Sequence, residues 1–425
     1  MWAKLLLLGL TVLKAPIMIG TAHGVRMLAS LVILKLIATA VGSTGLGLLG
    51  NLMSLITMGA VFSGGGISNG ITKYVAQYQQ RPIHRIRFIG CAMTYGATVS
   101  LLILALTIIA AKPIAAEVLG NPQHVWLVPC FGLAQFFCFI GTATIAVANG
   151  QQRYDIFAKI SISAHLVTIP VAYLLVVNFG IDGAAIALLL VLSCTALPSI
   201  YVIATSPTMR VLRFRISKKD STNLVRFSIM ALISAACFPI AEIFVRNQIV
   251  AHLGYEQAGI WQALNRLSGA YLGFFLVFLS SHYMPKLSAI TQKSQLIDIV
   301  RKYAFGVGLA FVCFSLTLYL LRDQVIRLLF SSSFMAMSSL VQLQLFGDFF
   351  RLMSYVIGFI CVAKAALKLY VFAELFQASL LIFFSWYGLQ NGGDLDAVIR
   401  GYLGTYMLYF VVTLIGLYVY SRIHK

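Results

Sequence analysis

Long, uninterrupted apolar runs alternate with short polar stretches along almost the whole chain. A hydrocarbon core about 30 Å thick requires about 20 helical residues per crossing. The runs are continuous, whereas the strands of a membrane β-barrel alternate apolar and polar residues, so each run is predicted to be a helix with internally paired backbone groups. The predicted spans cover residues 17–41, 46–72, 88–111, 124–149, 160–179, 183–205, 227–253, 259–281, 303–321, 339–363, 369–388 and 398–420.

The polar stretch at 206–226 divides these spans into two sets of six. The sequence therefore predicts an all-α polytopic membrane protein, with about 12 transmembrane helices in two six-helix bundles around a central cavity. Its predicted parts are an N-terminal bundle at 1–208, a basic cytoplasmic linker at 209–226 and a C-terminal bundle at 227–425. A short motif that occurs twice, half a chain apart, supports a repeat of two similar bundles. Lys73-x-x-Ala76-x-x-Gln79 ends the second span, and Lys286-x-x-Ala289-x-x-Gln292 follows the eighth.

The composition agrees with a membrane protein and excludes other classes. Hydrophobic residues make up 60% of the chain and charged residues only 10%, which is too apolar for a soluble domain, a disordered chain or a basic nucleic-acid binder. With both termini in the cytoplasm, 22 of the 31 basic residues lie on the cytoplasmic side, four on the outer side and five within spans. This asymmetry predicts cytoplasmic termini and contact with anionic membrane lipids.

The sequence contains no pattern typical of a cofactor or of a catalytic domain. No Walker A motif, no HExxH motif and no GxGxxG between a strand and a helix is present, and the seven cysteines show no metal-ligand spacing. No stretch between predicted spans is longer than 206–226, which is too short for a catalytic domain. We therefore expect a chain that is not an enzyme and that uses no cofactor, metal or nucleic acid.

Ionisable residues at membrane depth are the sharpest functional signal, because a charge at the bilayer centre costs about 2.5–3.5 kcal/mol on insertion scales. Such residues usually face a polar cavity or a partner. The candidates for binding an anionic substrate are Arg26, Lys35, Arg246, Arg266, Arg351 and Lys364. The candidates for binding a coupling ion are Glu242, Asp348 and Glu374.

Spacing along the helices leaves several of these roles open. Arg26 and Lys35 are half a turn out of phase, so a straight helix cannot direct both into one groove. Glu242 and Arg246 are one turn apart, either as an intrahelical pair that reduces the cost of insertion or as a cavity-facing arginine with a titratable neighbour. Arg266 has no acidic residue within a turn, which favours a position facing water or an anion.

The C-terminal half carries a second group of intramembrane charges. Asp348 and Arg351 are three residues apart in the tenth span, and Glu374 lies in the eleventh. Either acid could bind H⁺ or Na⁺, and either could instead neutralise a nearby base. Lys364 ends the tenth span, where the positive-inside rule alone would also place it. Tyr271 lies within the eighth span, and both core packing and a sugar-stacking lining remain open for it.

Within the spans, five basic residues stand against three acidic ones. An excess of positive charge in a cavity suits an anionic substrate, and the planar guanidinium group binds phosphate through parallel hydrogen bonds. The residues therefore predict a substrate that carries a diphosphate.

Four stretches carry a resemblance to a known family. They are Gly45-Leu-Gly47 with residues 66–78; residues 227–232 with Pro239 and Arg246; Gly259-Ile-Trp-Gln262 with Ala270-Tyr-Leu272; and Gly347-Asp348-x-x-Arg351 with Ala363-Lys-Ala365 and Ala373-Glu374. In this order and spacing they resemble the lipid-linked oligosaccharide flippases of the polysaccharide transporter family, above all the Wzx-type flippases for O-antigen or enterobacterial common antigen. That family belongs to the multidrug/oligosaccharidyl-lipid/polysaccharide exporter superfamily.

The resemblance implies an alternating-access flippase of the bacterial inner membrane. It would carry an undecaprenyl-diphosphate-linked oligosaccharide to the periplasmic leaflet for surface polysaccharide assembly, coupled to H⁺ or Na⁺ and working beside other assembly proteins. Arg246, Asp348, Lys364 and Glu374 stand where similar proteins carry the same residues. The eighth span departs from the family, because Arg266 and Gly269 replace an expected Ser and Asp, so details of coupling do not transfer there.

Two alternatives remain open at this point. A cation-coupled multidrug extruder of the same superfamily predicts an acidic cavity, which the basic excess disfavours. A membrane-embedded glycan polymerase usually has a long outer loop with catalytic charges, whereas the outer segment at 322–338 holds only Arg322, Asp323 and Arg327.

Overall fold

The structure, a computed structural model, describes residues 2–120, 122–205, 215, 217–290, 292–364 and 366–422. Fourteen α-helices occupy most of this described part. They are α1 (Trp2–Phe62), α2 (Ser68–Gln77), α3 (Pro82–Ile109), α4 (Ala111–Pro113), α5 (Leu127–Gly150), α6 (Tyr154–Ser193), α7 (Ala196–Thr205), α8 (Lys218–Phe278), α9 (Met284–Ala289), α10 (Lys293–Leu320), α11 (Arg322–Leu329), α12 (Val341–Ala363), α13 (Leu367–Gln390) and α14 (Leu395–Arg422).

Tighter or wider helical turns join several of these helices. The 3₁₀ segments are Ser63–Gly66, Pro122–His124 and Ser332–Ser339, and the π-helical segments are Ile114–Val118 and Leu279–Tyr283. Two of them matter below, because Ser63–Gly66 separates α1 from α2 and Leu279–Tyr283 separates α8 from α9.

The described residues contain nine helical stretches that are long and apolar enough to cross a membrane. Three of them, at 18–77, 154–205 and 231–289, have 52 to 60 residues and exceed the length needed for one crossing. Each long stretch contains a glycine with a positive φ and an extended ψ, namely Gly42, Gly180 or Gly254. These glycines lie between predicted spans, so the long helices supply two crossings each and the nine stretches account for twelve.

The predicted all-α, polytopic fold class is therefore confirmed. Large apolar side chains are exposed along these helices, as in Leu102, Leu106 and Ile109 of α3, and a lipid environment explains their exposure. Residues 209–214 and 216 of the predicted basic linker lie outside the described part of the chain.

The chain forms two compact units. Unit 1 comprises residues 1–40 and 51–239, and unit 2 comprises residues 41–50 and 240–425. A short segment of α1, Val41–Gly50, thus packs with the second half of the chain. The domain boundaries expected at 208 and 227 stay a prediction.

In unit 1, α5 packs against α2, α3, α6 and α7. Its core includes Ile71, Phe88, Phe139 and Ile160, all almost fully enclosed. In unit 2, α12 packs against α9, α10, α13 and α14. The central position of α12 places its polar face inside the unit, where the candidate site lies.

Candidate functional site

A stripe of polar residues runs along one face of α12. Gln344, Asp348, Arg351 and Tyr355 follow one another at intervals of four, three and four residues, which places them on the same side of a helix. Asp348 has no exposed surface and Gln344 only 2%. Because α12 is surrounded by its neighbours in unit 2, this face must find polar partners on other helices.

Asp348 obtains three hydroxyl partners from two other helices. The Oδ2 atom accepts hydrogen bonds from Ser268 Oγ (2.6 Å) and from the hydroxyl of Tyr271, both on α8. The Oδ1 atom accepts a hydrogen bond of 2.5 Å from the hydroxyl of Tyr402 on α14. Since a buried carboxylate is costly unless it is hydrogen-bonded, these hydroxyl groups are what permits a carboxylate here.

Arg351 lies one turn from Asp348 and shares a partner with it. Its Nε donates to the hydroxyl of Tyr355 (2.8 Å), and its Nη1 donates to the hydroxyl of Tyr402 (3.1 Å). The Tyr402 hydroxyl therefore accepts from the guanidinium and donates to the carboxylate. The guanidinium carbon also lies 5.1 Å from the centre of the Tyr406 ring, at cation–π distance.

Two glutamines extend the cluster. Gln344 Nε2 donates to Ser268 Oγ (2.9 Å), and Gln377 Nε2 donates to the Tyr406 hydroxyl (3.0 Å). Among the described residues, the carbonyl oxygens of both side chains are buried and receive no hydrogen bond. The cluster thus holds two further oxygen acceptors besides the carboxylate. We call these nine residues the α12 network: Ser268, Tyr271, Gln344, Asp348, Arg351, Tyr355, Gln377, Tyr402 and Tyr406.

Close packing fixes the central tyrosine. A Cβ atom added to Gly347 would lie 2.6 and 2.7 Å from two ring carbons of Tyr402, so only a glycine lets the ring approach α12 this closely. Gly347, which precedes Asp348 in the sequence, therefore allows the packing that holds Tyr402 in the α12 network.

Among the described residues, Arg246 is the other fully buried charge, with 1% of its surface exposed. Its Nη2 donates to Gln262 Oε1 (2.5 Å), and its guanidinium carbon lies 5.3 Å from the centre of the Trp261 ring. Gly50, in the segment Val41–Gly50, lies directly against the arginine side chain, and an added Cβ would be only 2.7 Å from Cδ.

The remaining candidate residues are partly open to the surroundings. Glu242 and Arg266 are half-buried in unit 2, and Glu242 attracts both Arg246 and Arg266 electrostatically. Glu374 is half-buried and receives a hydrogen bond from Tyr370. Lys364 is exposed, and its Nζ donates to the carbonyl oxygen of Ile290 (2.5 Å).

Arg26 and Lys35 belong to unit 1, whereas the α12 network belongs to unit 2. Arg26 is exposed and Lys35 is half-buried. The structure thus brings Asp348 and Arg351 together through Tyr402, and it gathers Glu242, Arg246 and Arg266 along α8. Among the described residues, no group of three or more His, Cys, Asp or Glu side chains could hold a metal ion.

Sequence reasoning missed most of the uncharged members of the α12 network. Tyr271 was noted without a role, and Ser268, Gln344, Tyr355, Gln377, Tyr402 and Tyr406 were not singled out. One signal was available, since the four-three-four spacing of polar residues in the tenth span marks a polar stripe on an otherwise apolar helix.

Comparisons with known proteins agree with the fold and identify relatives. The family described as "Polysaccharide biosynthesis protein" matches residues 12–291. Proteins named "Lipid III flippase" from Escherichia coli (strain K12) and from Shigella flexneri are each 32% identical over 399 residues, which cover 93% of this chain and 96% of theirs.

Solved structures with the same fold are more distant in sequence. The lipid II flippase MurJ in an inward closed conformation superposes with a TM-score of 0.73 at 14% identity, covering 95% of this chain and 87% of MurJ. An inward-facing multidrug resistance MATE transporter of the MOP superfamily gives 0.68 at 16% identity, covering 94% and 96%. A MOP superfamily transporter from Pyrococcus furiosus gives 0.69 at 14% identity, covering 96% and 95%.

Proposed function

We propose that this chain, which belongs to the polysaccharide biosynthesis protein family, is a transporter that flips a lipid-linked oligosaccharide across the bacterial inner membrane. The substrate is an undecaprenyl-diphosphate-linked oligosaccharide that moves from the cytoplasmic to the periplasmic leaflet by alternating access. The glycan belongs to O-antigen or enterobacterial common antigen synthesis, and both termini of the chain lie in the cytoplasm. The names of the relatives, Lipid III flippase, support this substrate class.

The observation that carries the proposal is the excess of basic over acidic residues within the membrane-spanning helices. A diphosphate has to leave water to cross the bilayer, and cationic side chains at membrane depth replace part of its hydration. Five of the basic candidates keep exposed surface for this contact, namely Arg26, Lys35, Arg266, Arg351 and Lys364. Arg246 is enclosed by protein in this conformation, so it contacts substrate only after a rearrangement.

Asp348 is the coupling site in this proposal, and the α12 network gives it a mechanism. An ionised Asp348 accepts all three hydroxyl hydrogen bonds. When Asp348 binds a proton, its carboxyl group becomes a donor, so the hydrogen of one of the three hydroxyl groups must turn away from it. Tyr402 carries the hydroxyl group that also contacts Arg351. Protonation therefore removes the negative charge beside the Arg351 guanidinium and changes the position of this group, which is the one that contacts the diphosphate.

A sodium ion would act on the same atoms. The carboxylate, the hydroxyl oxygens and the buried carbonyl oxygens of Gln344 and Gln377 are the oxygen ligands that hard cations prefer. Glu242 and Glu374 are secondary candidates for coupling, because both retain exposed surface near basic residues. The other partners proposed are membrane lipids and further proteins of polysaccharide assembly.

The substrate class can be tested in cells. Deleting the gene should leave the lipid-linked oligosaccharide inaccessible to a glycan-modifying enzyme added to spheroplasts, while the total amount of this lipid rises. The wild-type chain and a Gly358→Ala variant should restore accessibility, because the space beside Gly358 is open. Normal surface glycan in the deletion strain, together with new sensitivity to cationic drugs, would contradict the proposal and favour a multidrug extruder.

A further inference from the structure

The buried face of α6 in unit 1 carries an imidazole among small residues. His165 is 7% exposed, and Ser161, Ala164 and Thr168 lie beside it on the same face of the helix. Its Nδ1 lies 2.7 Å from the carbonyl oxygen of Ser161, so Nδ1 carries the hydrogen and donates it. In the neutral ring Nε2 is therefore an acceptor, and the described residues give it no donor. A buried acceptor without a donor is costly, which indicates a partner from outside the protein.

Arg26 of α1 lies near this imidazole. Its positive charge acts electrostatically on His165, and its exposed guanidinium makes no ion pair or hydrogen bond with any residue that the structure describes. The ring of His23, about one turn before Arg26, lies 5.6 Å from the ring of Phe157, and this contact holds α1 beside α6. Unit 1 therefore places an unpaired donor group and an unpaired acceptor atom near each other.

Two thiol groups near Arg26 already have partners within unit 1. The charge of Arg26 acts on the thiols of Cys138 and Cys194. The Cys138 thiol is hydrogen-bonded to Ser63, and the Cys194 thiol is hydrogen-bonded to Thr168. In contrast to these paired groups, the guanidinium and the imidazole Nε2 are free to bind a ligand.

Both groups lie close to the beginning of a predicted span. Arg26 is nine residues into the span at 17–41, and His165 is five residues into the span at 160–179. At about 1.5 Å per residue, both positions are less than halfway through a core about 30 Å thick. Helical side chains lean toward the N-terminus of their helix, so the long arginine side chain extends back toward the level of His165. With both termini in the cytoplasm, as proposed above, these groups lie in the cytoplasmic half of the membrane.

The two free groups differ in what they can bind. A diphosphate offers only acceptors, so it can bind the guanidinium but cannot donate a hydrogen bond to Nε2. A sugar offers hydroxyl and acetamido N–H donors, which Nε2 can accept. We propose that Arg26 and His165 form a loading subsite in unit 1, in which Arg26 binds a phosphate and His165 Nε2 accepts a hydrogen bond from the sugar attached to the diphosphate. The loading subsite rests on the proposed function for the class of substrate, and it makes His165 a residue that selects the sugar.

The test measures the dissociation constants of two probes for the full chain in detergent. One probe is farnesyl diphosphate capped with a methyl group, and the other is the same lipid capped with one N-acetylhexosamine, so the two carry the same charge. The wild type should bind the sugar-bearing probe about fivefold more tightly, as expected for one hydrogen bond to a buried acceptor. His165→Phe keeps a ring but removes Nε2, so it should lose this preference and still bind the methyl-capped probe as the wild type does. Arg26→Gln should weaken binding of both probes, because both contain the diphosphate.

Further variants keep the test decisive if His165→Phe does not fold. His165→Asn keeps a donor for the Ser161 carbonyl but has no acceptor at the position of Nε2, so it should also lose the preference, whereas His165→Gln restores an acceptor there and should retain it. His252→Phe is the matched control, because the exposed His252 also donates from Nδ1 to the carbonyl oxygen four residues before it. An undiminished preference in folded His165→Phe or His165→Asn, or no preference in the wild type, would overturn the loading subsite alone. Failure of the wild type to bind either probe would overturn it together with the proposed function.

Discussion

Units 1 and 2 differ in how they treat polar groups in their interiors. Among the side chains that the structure describes, the two buried formal charges, Arg246 and Asp348, both lie in unit 2. The buried polar residues of unit 1 are uncharged side chains such as Ser100, Gln135 and Thr144, with His165 as the one buried histidine of the described set. Burial of these two charges therefore gives unit 2 a desolvation cost that the described part of unit 1 does not have. We attribute the presence of these charges to function.

The contrast extends to the way the polar groups are connected. In unit 1, Gln135 donates to the carbonyl oxygen of Ser100, whose hydroxyl accepts from the backbone of Gly64. These bonds tie α3 and α5 to the glycine turn and involve no charge. In unit 2, the α12 network joins α8, α12, α13 and α14 around a carboxylate and a guanidinium. A change of protonation or of bound cation can therefore act on the buried charges of unit 2, and the described residues of unit 1 contain no equivalent pair of charges.

The largest effect is expected from Asp348→Leu. The substitution leaves the hydroxyls of Ser268, Tyr271 and Tyr402 without their acceptor and removes the negative charge beside Arg351. We expect the free energy of unfolding to fall by about 3 kcal/mol, together with loss of glycan export. Denaturant titration in detergent measures the first effect and complementation of a deletion strain the second. Wild-type values for both would show that the carboxylate is dispensable.

Tyr402→Phe should have the next largest effect. It removes one hydroxyl that contacts both Asp348 and Arg351 and leaves the ring in place. Hydrogen bonds to charged groups contribute about 1.5–3 kcal/mol, so we expect a loss of about 2 kcal/mol in the same titration. Tyr387→Phe, at an exposed tyrosine of α13, is the control and should change stability by less than about 0.5 kcal/mol. Equal changes in the free energy of unfolding for the two variants would show that the Tyr402 hydroxyl is not central to the α12 network.

Gly347→Ala tests the network without changing any polar atom. The new methyl group would press on the Tyr402 ring, and overpacking of this kind typically costs about 1–3 kcal/mol. We expect a loss near the lower end of that range, with slower glycan export. Gly358→Ala, on the same helix and beside open space, should be neutral. If both alanine variants export glycan normally, then the placement of Tyr402 does not limit transport.

The smallest effect is expected in unit 1. Gln135→Leu replaces a buried side chain that makes one hydrogen bond and whose carbonyl oxygen receives none among the described residues. Loss of that bond is offset by relief of the buried polar oxygen, so stability should change by less than about 1 kcal/mol and glycan export should persist. A collapse of export in this variant, at normal expression, would mean that unit 1 also holds a coupling site.

The difference between the units also determines how far sequence reasoning reaches. Hydropathy predicted the crossings because every residue of an apolar run contributes to the same local signal. Asp348 and Arg351 were found because charges are rare in such runs. The hydrogen-bond partners of Asp348 were not found in the sequence. Tyr271 and Tyr402 are far from Asp348 along the chain, and they look like ordinary membrane tyrosines in the sequence.

Arg246 shows more clearly that the local sequence does not indicate contacts between distant residues. Its spacing from Glu242 indicated an intrahelical interaction, which exists, but nothing local indicated that Gly50 and Gln262 would enclose the guanidinium. That enclosure depends on the packing of the segment Val41–Gly50 within unit 2. Contacts between distant parts of the chain, and the roles that follow from them, required the structure.

The most direct test of the account is the rate at which a fluorescent undecaprenyl-diphosphate-linked oligosaccharide crosses the bilayer of proteoliposomes. The wild-type chain and Gly358→Ala should transfer the lipid at equal rates, at least tenfold above protein-free vesicles. Asp348→Asn keeps the shape of the side chain but removes its charge and its proton site, and it should reduce the rate to near that of protein-free vesicles. Transfer by Asp348→Asn at the wild-type rate would contradict the central claim that the buried charges of unit 2 drive the transport cycle.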